Sequence, residues 1–116
     1  MSAPDTLVEL FPLDSLPDPG AREAVIEGPD GPLAVFVVRR GDVVRAYVNS
    51  CPHLGVALNW KPDTFLDPAG ETIVCAMHAA VFRIDDGLCE GGPCKGRSLR
   101  RLEVNFRNGN LAVGGA

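Results

Sequence analysis

The sequence predicts an all-β domain built from small antiparallel sheets. Runs of β-branched and aromatic residues recur along the 116-residue chain, and clusters of Gly, Pro, Asn and Asp separate them. Thirteen Gly and ten Pro indicate frequent turns, and no stretch keeps a sustained helical period. With 46% hydrophobic residues the chain has enough apolar material for one modest core, so we expect a single domain over residues 1–116.

In the N-terminal half four strands are predicted. The first alternates only weakly, and the second ends at the turn Gly28-Pro29-Asp30-Gly31. The third and fourth are rich in Val and flank Gly41-Asp42, which predicts a hairpin. The four segments are 7–11, 24–27, 33–39 and 43–48. The stretch 14–24 is compatible with a short turn of helix.

Four more strands are predicted in the C-terminal half. The first two flank a short loop and are followed by the turn Asp85-Asp86-Gly87. The last two form a terminal hairpin around Arg107-Asn108-Gly109-Asn110. The segments are 72–75, 81–84, 99–106 and 111–113.

The charge distribution argues against a nucleic-acid-binding protein. Residues 1–32 hold seven acids and one base, a net −6, and residues 33–116 hold eight acids and ten bases, a net +2. A nucleic-acid partner requires a basic face. The acidic segment is interpreted as a solvated surface, or alternatively as a patch that steers a basic protein partner. No apolar run approaches the length of a membrane span. The first basic residue is Arg22, and no apolar stretch typical of a signal peptide stands near the N-terminus, so we expect a cytoplasmic protein.

Two short motifs place Cys and His together. Cys51-Pro52-His53 is followed, after the 21 residues 54–74, by Cys75-Ala76-Met77-His78. These are the only two histidines in the chain. Thiolate and imidazole are strong protein ligands for iron and zinc, so each loop offers one sulfur and one nitrogen to a shared metal site.

Zinc and iron–sulfur are the two metal sites that this ligand set allows. Structural zinc sites also use two Cys and two His, but they usually pair Cys with Cys and His with His. Here each pair is mixed, as in clusters where His replaces Cys on one of two irons. The mixed pairs and the β pattern favour iron–sulfur.

The sequence Cys-Pro-His-Leu-Gly at 51–55 and the Cys-x-x-His at 75–78 resemble the two cluster-binding boxes of Rieske-type [2Fe–2S] proteins. Phe82, Gly87 and Gly92-Pro93 before Leu99 continue the pattern, which extends over about residues 33–113. The resemblance implies a Rieske (ISP-like) fold, in which two hairpin loops form a cluster-binding subdomain, here about residues 49–96.

The resemblance also implies the cofactor and its ligands. One [2Fe–2S] cluster per chain would be held by Cys51 and Cys75 on the inner iron and by His53 and His78 on the outer iron. The two imidazoles would then lie at the solvent edge, where an electron leaves. Neutral His in place of thiolate raises the potential relative to an all-Cys cluster.

Departures from the high-potential respiratory relatives indicate a low-potential, ferredoxin-type branch. The positions of their loop-bridging cysteines look like Val56 and Met77 here, so that disulfide is excluded. Their two hydroxyl donors are replaced by Ala80 and Phe82, which leaves fewer hydrogen bonds to sulfur.

Two further features depart from the family pattern. Ala79 stands where a Gly is common, and the gap between the boxes is long. We expect the excess in residues 59–70, as a surface loop anchored by packed Trp60 and Phe65; the less favoured alternative is a loop that docks a partner protein.

Cys89 and Cys94 are predicted to be reduced thiols that bind no metal. Neither has a nearby His, and the plant-type ferredoxin spacing would need a Cys where Arg97 stands. A cytoplasmic setting disfavours a disulfide. Gly92-Pro93 resembles the family's proline loop, which shields the cluster from water, so Cys94 would lie near the cluster.

Three functions fit the sequence. The first is a soluble one-electron carrier, monomeric when free, that passes electrons from a reductase to an oxygenase or similar acceptor. The second is the small Rieske subunit of a larger redox enzyme, such as an NADH-dependent nitrite reductase. The third is a zinc-stabilised interaction module. We expect no independent catalytic site, since both histidines are committed as ligands.

Overall fold

The computed structural model describes residues 7–28, 31–52, 57–59, 63–76, 80–92 and 94–114. These residues form nine β-strands and one short 3-10 helix, Leu13–Ser15, with no α-helix among them. The strands are β1 Val8–Pro12, β2 Gly20–Gly28, β3 Gly31–Arg40, β4 Val43–Val48, β5 Thr72–Val74, β6 Val81–Arg83, β7 Cys89–Gly91, β8 Arg101–Arg107 and β9 Asn110–Gly114. The predicted all-β class is therefore confirmed. Within these ranges no helix has the length and apolar character needed to span a bilayer.

Six strands form the larger sheet, in the order β1-β9-β8-β4-β3-β2, with every neighbouring pair antiparallel. The β8–β9 hairpin closes through Asn108 and Gly109, whose φ angles are +53° and +82°. Positive φ at both central residues is the requirement of a type I′ two-residue hairpin turn, and Asn-Gly meets it at little cost. The predicted terminal hairpin is thus confirmed.

Strand β3 is buried on both faces, which explains its unbroken apolar run. Val35 and Val37 pack into a cluster on one face of the sheet with Leu102, Leu111 and other residues. Phe36 and Val38 point the other way, into a second cluster that also contains the cysteines. Because side chains alternate along a strand, four successive apolar residues satisfy both clusters.

The smaller sheet has three antiparallel strands in the order β5-β6-β7. It packs against the larger sheet through the second cluster, in which Ile73 and Phe82 lie beside Phe36 and Tyr47. The Tyr47 hydroxyl donates a 2.6 Å hydrogen bond to the carbonyl of Ile84, just after β6. Burial raises the pKa of Tyr47 to about 12.

Three sequence predictions need correction in detail. Strand β2 begins at Gly20 rather than 24, because its whole length pairs with β3 from Gly20–Arg39 to Gly28–Gly31. The helical turn predicted within 14–24 is limited to Leu13–Ser15. Strand β7 was not predicted, since Cys89-Glu90-Gly91 carries little strand propensity and is ordered by pairing with β6.

Candidate metal centre

Two of the four predicted ligands lie in one apolar cluster. Cys51 follows β4 by three residues, and Cys75 comes directly after β5. Both side chains are wholly buried, and neither is in a disulfide. They share the cluster with Leu58, Ala80 and Phe82. The fold therefore brings thiols from two sheets to the same part of the core.

Backbone hydrogen bonds join the two cysteine loops. The N–H of Cys75 donates to the carbonyl of Ala80 at 2.9 Å, which closes the hairpin loop between β5 and β6. The next N–H, of Ala76, donates to the carbonyl of Leu58 at 2.8 Å. Because Leu58 ends the first loop, the two loops are held in a fixed relation.

The Asn49 side chain joins the two ends of the first loop by hydrogen bonds. Its side chain is buried, with an exposed fraction of 8% for the residue. Its Oδ1 accepts a 2.8 Å hydrogen bond from the N–H of Leu58, and its Nδ2 donates to Oδ1 of Asn59 at 2.9 Å. The two ends of residues 49–59 are thus joined through one amide, and both of its polar atoms are used.

This network continues to the edge of the large sheet. Nδ2 of Asn59 donates to Oε2 of Glu23 at 3.1 Å, and the same oxygen accepts from the N–H of Asp63 at 2.8 Å. The N–H of Glu23 in turn donates to Oδ1 of Asp63 at 2.8 Å. Strand β2 therefore fixes the segment that follows the first loop.

Part of the long inter-motif segment packs as an anchor. Phe65 is buried and stacks on Phe36, with ring centroids 4.2 Å apart. The N–H of Val74 donates to the carbonyl of Phe65 at 2.8 Å. Backbone N–H groups of Glu71 and Thr72 hydrogen-bond the Asp67 carboxylate and lower its pKa. The anchoring role of Phe65 is confirmed, while Trp60 lies outside the described residues.

A third loop, residues 92–98, lies against both cysteine loops. Gly92 has φ of +96°, and a Cβ placed on it would come within 2.8 Å of Cα of Ala80. Nη1 of Arg97 donates to the carbonyl of Pro52 at 3.2 Å. The described part of this loop therefore contacts both cysteine loops, while Pro93 lies outside the described residues.

The other two cysteines are also buried in this cluster. Cys89 and Cys94 are nearly inaccessible, and their sulfurs are 3.2 Å apart without a disulfide. Burial, followed by the hydrogen bond to Cys89, raises the pKa of Cys94 to about 12. Among the described residues, which include all four cysteines, no three His, Cys, Asp or Glu side chains are grouped to hold a metal.

His53 and His78 lie outside the described residues, as do Val56, Met77 and Ala79. The thiols of Cys51 and Cys75 can still be compared with the needs of a cluster. They are buried, lie on hydrogen-bonded loops and sit in apolar surroundings. Such thiols fit iron–sulfur ligation, because thiolate ligands suit iron and a closed apolar shell keeps water from the sulfur.

Several residues that shape this centre were missed from the sequence. Asn49, Asn59, Glu23 and Asp63 looked like ordinary polar residues of loops and surfaces. The one signal for Asn49 was its place two residues before Cys51, which marks it as part of the loop's base. The hydrogen-bond partners of Asn49 are 9 and 10 residues away, and those of Glu23 are 36 and 40 residues away, so no local pattern identifies them.

Comparisons with known proteins agree with this architecture. The Rieske [2Fe-2S] domain profile matches residues 7–106. The ferredoxin of carbazole 1,9a-dioxygenase from Nocardioides aromaticivorans IC177 is 25% identical, with a TM-score of 0.70 over 93% of this chain and 96% of that one. A chain from the complex of reduced oxygenase and oxidised ferredoxin in carbazole 1,9a-dioxygenase is 22% identical, with a TM-score of 0.74 over 94% and 93%.

The same fold also occurs within a larger chain. The terminal oxygenase of carbazole 1,9a-dioxygenase from Novosphingobium sp. KA1 matches 92% of this chain with 29% of its own length, at 20% identity and a TM-score of 0.75. No curated protein matched by sequence. The resemblance inferred from the two Cys/His motifs is confirmed: the chain belongs to the Rieske [2Fe-2S] domain family.

Proposed function

We propose that this protein is a one-electron carrier that passes electrons from a reductase to an oxygenase or similar acceptor. One [2Fe–2S] cluster per chain would be bound by Cys51, His53, Cys75 and His78. When bound, such a cluster supplies reversible one-electron chemistry. We place the whole chain, residues 1–116, in one domain, with about 49–96 as the cluster-binding part.

One observation carries the proposal. The structure brings Cys51 and Cys75 together as buried thiols on two hydrogen-bonded loops, in a chain whose length matches a ferredoxin nearly end to end. The histidine of each motif is two or three residues from its cysteine, so each loop supplies one of each ligand type. The proposed inner iron would take the two cysteines, and the outer iron the two histidines.

The described residues give this centre rigidity. The Asn49 amide, the Ala76–Leu58 hydrogen bond and the Gly92–Ala80 contact hold three loops against one another. Loops held in this way change little between oxidation states, which lowers the reorganisation that electron transfer requires. Apolar neighbours such as Phe82 and Leu58 exclude water from the thiol side.

The proposed ligand arrangement indicates the side of the centre at which electrons would enter and leave. The cysteines are buried, so the histidine side of the centre would face the partner protein. The carbazole dioxygenase structures hold a ferredoxin and an oxygenase in complex. By analogy we propose a terminal oxygenase as the class of acceptor, with the acidic segment at 1–32 available to steer a basic partner.

A second candidate is the Rieske subunit or part of a larger redox enzyme. The observation that favours it is the match to 29% of a terminal oxygenase chain, which shows this fold inside a larger protein. The ferredoxin match at 96% of that chain's length favours the free carrier. We further propose a monomer when free, in the cytoplasm, where buried thiols such as Cys89 and Cys94 remain reduced.

Iron, sulfide and EPR analysis of anaerobically purified protein tests this proposal. Two irons and two acid-labile sulfides per chain are expected, with an EPR signal that appears after reduction by one electron. Zinc in place of iron would contradict the proposal and favour the zinc-stabilised interaction module. Iron without acid-labile sulfide would also contradict the proposal. Size-exclusion chromatography of fresh lysate separates the free carrier from a subunit of a larger enzyme.

A further inference from the structure

The third loop and the start of β8 carry concentrated positive charge. Residues 91–102 contain four bases and no acid, whereas the other residues together contain seven bases and fifteen acids. All four bases are exposed, namely Lys95, Arg97, Arg100 and Arg101. A chain with a net charge of −4 therefore presents a strongly basic segment, and this segment includes the loop that contacts both cysteine loops.

Arg97 places this charge beside the first Cys/His motif. Its Nη1 donates to the carbonyl of Pro52 at 3.2 Å, and Pro52 stands between Cys51 and His53 in the sequence. A carbonyl oxygen accepts the hydrogen bond without neutralising the guanidinium. The positive charge is thus fixed next to the motif and remains available to a partner protein.

No carboxylate forms an ion pair with these four bases in the part of the chain that the structure describes. The ion pairs there join Arg39 to Asp18, Arg40 to Glu71 and Arg83 to Asp86. The two acids that flank the basic segment lie near other bases, since Glu90 lines a surface groove with Arg83 and Glu103 lines one with Arg45. The charge of the third loop is therefore not offset by its described neighbours.

Backbone hydrogen bonds to β7 hold the third loop in place. The N–H of Cys89 donates to the carbonyl of Arg97 at 2.7 Å, and the N–H of Gly96 donates to the carbonyl of Cys89 at 3.1 Å. Within the loop, the N–H of Arg97 donates to the carbonyl of Cys94 at 2.9 Å. The backbone that carries Lys95 and Arg97 is thus ordered before a partner binds, which lowers the entropic cost of association.

We propose that the third loop is a docking surface for a redox partner protein with an acidic face, which it contacts through Lys95 and Arg97. This inference rests on the proposed function, in which the histidine side of the centre faces the partner. Attraction between opposite charges at this place orients the partner toward the loop that carries His53. Arg100 and Arg101, three and four positions after Arg97, add to the same positive potential.

This surface is separate from the acidic segment at 1–32. Two acids of that segment are engaged within the fold, where Glu23 accepts hydrogen bonds from Asn59 and Asp63 and Glu9 accepts one from Asn110. The third loop instead contacts the two cysteine loops directly. The charged contact nearest the proposed centre is therefore basic, and the acidic segment acts on a partner at longer range.

Fluorescence anisotropy with a labelled decaglutamate peptide tests the charge of this surface without electron transfer. The native full chain is expected to bind the peptide at low ionic strength and to lose it as salt is added. The double variant Lys95→Glu, Arg97→Glu is expected to bind roughly tenfold more weakly. Arg107→Glu is the matched control, because it reverses an exposed Arg at the other end of β8, about 20 Å from Arg101. Its affinity should stay within roughly twofold of the native value.

Oxidation of the reduced holoprotein by two cobalt(III) complexes tests whether the surface lies where electrons leave. The EDTA complex is an anion and the tris-phenanthroline complex is a cation. A change in cluster potential alters both rates in the same direction, whereas a change in docking charge alters them in opposite directions. In the double variant the anion is expected to react roughly three- to tenfold more slowly and the cation faster, while Arg107→Glu changes neither by more than roughly twofold.

Three results would overturn the proposal. They are equal peptide affinity in the native protein and the double variant, cobalt rates that change together, and tighter binding of a single-stranded DNA of ten nucleotides than of the peptide, which would assign the loop to a nucleic acid. Where the double variant does not fold, Lys95→Glu alone decides, at an exposed residue. Absence of iron and sulfide would end the proposed function and this inference with it, while unchanged rates in cluster-loaded protein would end this inference alone.

Discussion

Gly92 lies directly against Ala80, and a Cβ at Gly92 would come within 2.8 Å of Cα of Ala80. The third loop thus touches the second cysteine loop backbone to backbone, with no side chain between them. Its φ of +96° is also one that an L side chain rarely adopts. A single glycine therefore sets the distance between the third loop and the second cysteine loop.

Gly92→Ala is expected to separate these loops and destabilise the centre by about 1–3 kcal/mol, from backbone strain and the contact with Ala80. The measurement is the half-life of the visible cluster absorbance on heating, which should shorten. Two neighbours serve as controls. A Cβ at Gly91 would have no heavy atom within 4 Å, so Gly91→Ala adds no close contact. Gly96 has a positive φ of +92°, like Gly92, but a Cβ there would also have no neighbour within 4 Å, so Gly96→Ala adds backbone strain alone. If Gly92→Ala behaves like Gly96→Ala, strain alone acts and the close approach does not matter.

The sequence predicted the repeated hairpins well because their signals are local. Val43–Val48 has the predicted bounds, and the Asn108-Gly109 turn is encoded by two residues. Strand β7 and the first part of β2 were missed because they depend on pairing: Cys89 pairs with Phe82, and Gly20 with Arg39. Local propensity does not predict strands that a neighbouring strand imposes.

The candidate site was predictable only at residues whose type itself indicates metal binding. Cys51 and Cys75 were identified from the mixed Cys/His motifs, and the structure brings both into one buried cluster. The Asn49 network was not predictable, since its amide reaches Leu58 and Asn59 through the fold. The burial of Cys94 in the same cluster as Cys51 was likewise not predictable, because the two residues are 43 positions apart in the chain.

The double variant Cys89→Ser, Cys94→Ser is expected to keep its cluster and its colour, because neither residue is assigned as a ligand. Some loss of thermal stability is expected, since both sites are buried. Iron and sulfide content measured beside Cys75→Ser, a ligand variant expected to lose the cluster, checks this. If the double variant folds but contains no iron and sulfide, at least one of Cys89 and Cys94 is a ligand.

Hydroxyl groups added near the cluster are expected to raise its potential. Ala80→Ser and Phe82→Tyr place donors in the buried cluster that contains Cys51 and Cys75. Each is expected to raise the potential by roughly a few tens of millivolts, where a tenfold shift in a one-electron equilibrium is about 59 mV, and together they should raise it further. Phe106→Tyr, at an exposed ring, is the matched control and should leave the potential unchanged. A fall, or no change in either loaded variant, would show that these positions do not face the sulfurs.

Tyr47 is expected to make the protein sensitive to alkali. Burial raises its pKa to about 12, and the unfolded chain ionises near 10.0. Between these values the unfolded state loses the proton first, so stability present below pH 10 declines as the pH rises toward 12, by roughly 2–3 kcal/mol in all.

Tyr47 is the only tyrosine, so the ultraviolet absorbance of tyrosinate reports it alone. Ionisation is expected to coincide with loss of structure followed by circular dichroism, above pH 10. Tyr47→Phe is the control. It loses the hydrogen bond to Ile84 and is expected to be less stable at neutral pH, but without this alkaline decline. Ionisation near pH 10 in protein that stays folded would contradict the account.

The ligand set is the central claim, and pulsed EPR on reduced protein containing 15N-labelled histidine tests it most directly. Since the chain has two histidines, both proposed as ligands, two strong 15N couplings are expected. His78→Cys should remove one of them and change the spectrum, whether the cluster is kept with a new sulfur ligand or lost. Absence of strong 15N couplings in the native protein, or an unchanged spectrum in His78→Cys, would contradict the assignment of Cys51, His53, Cys75 and His78 as the ligands.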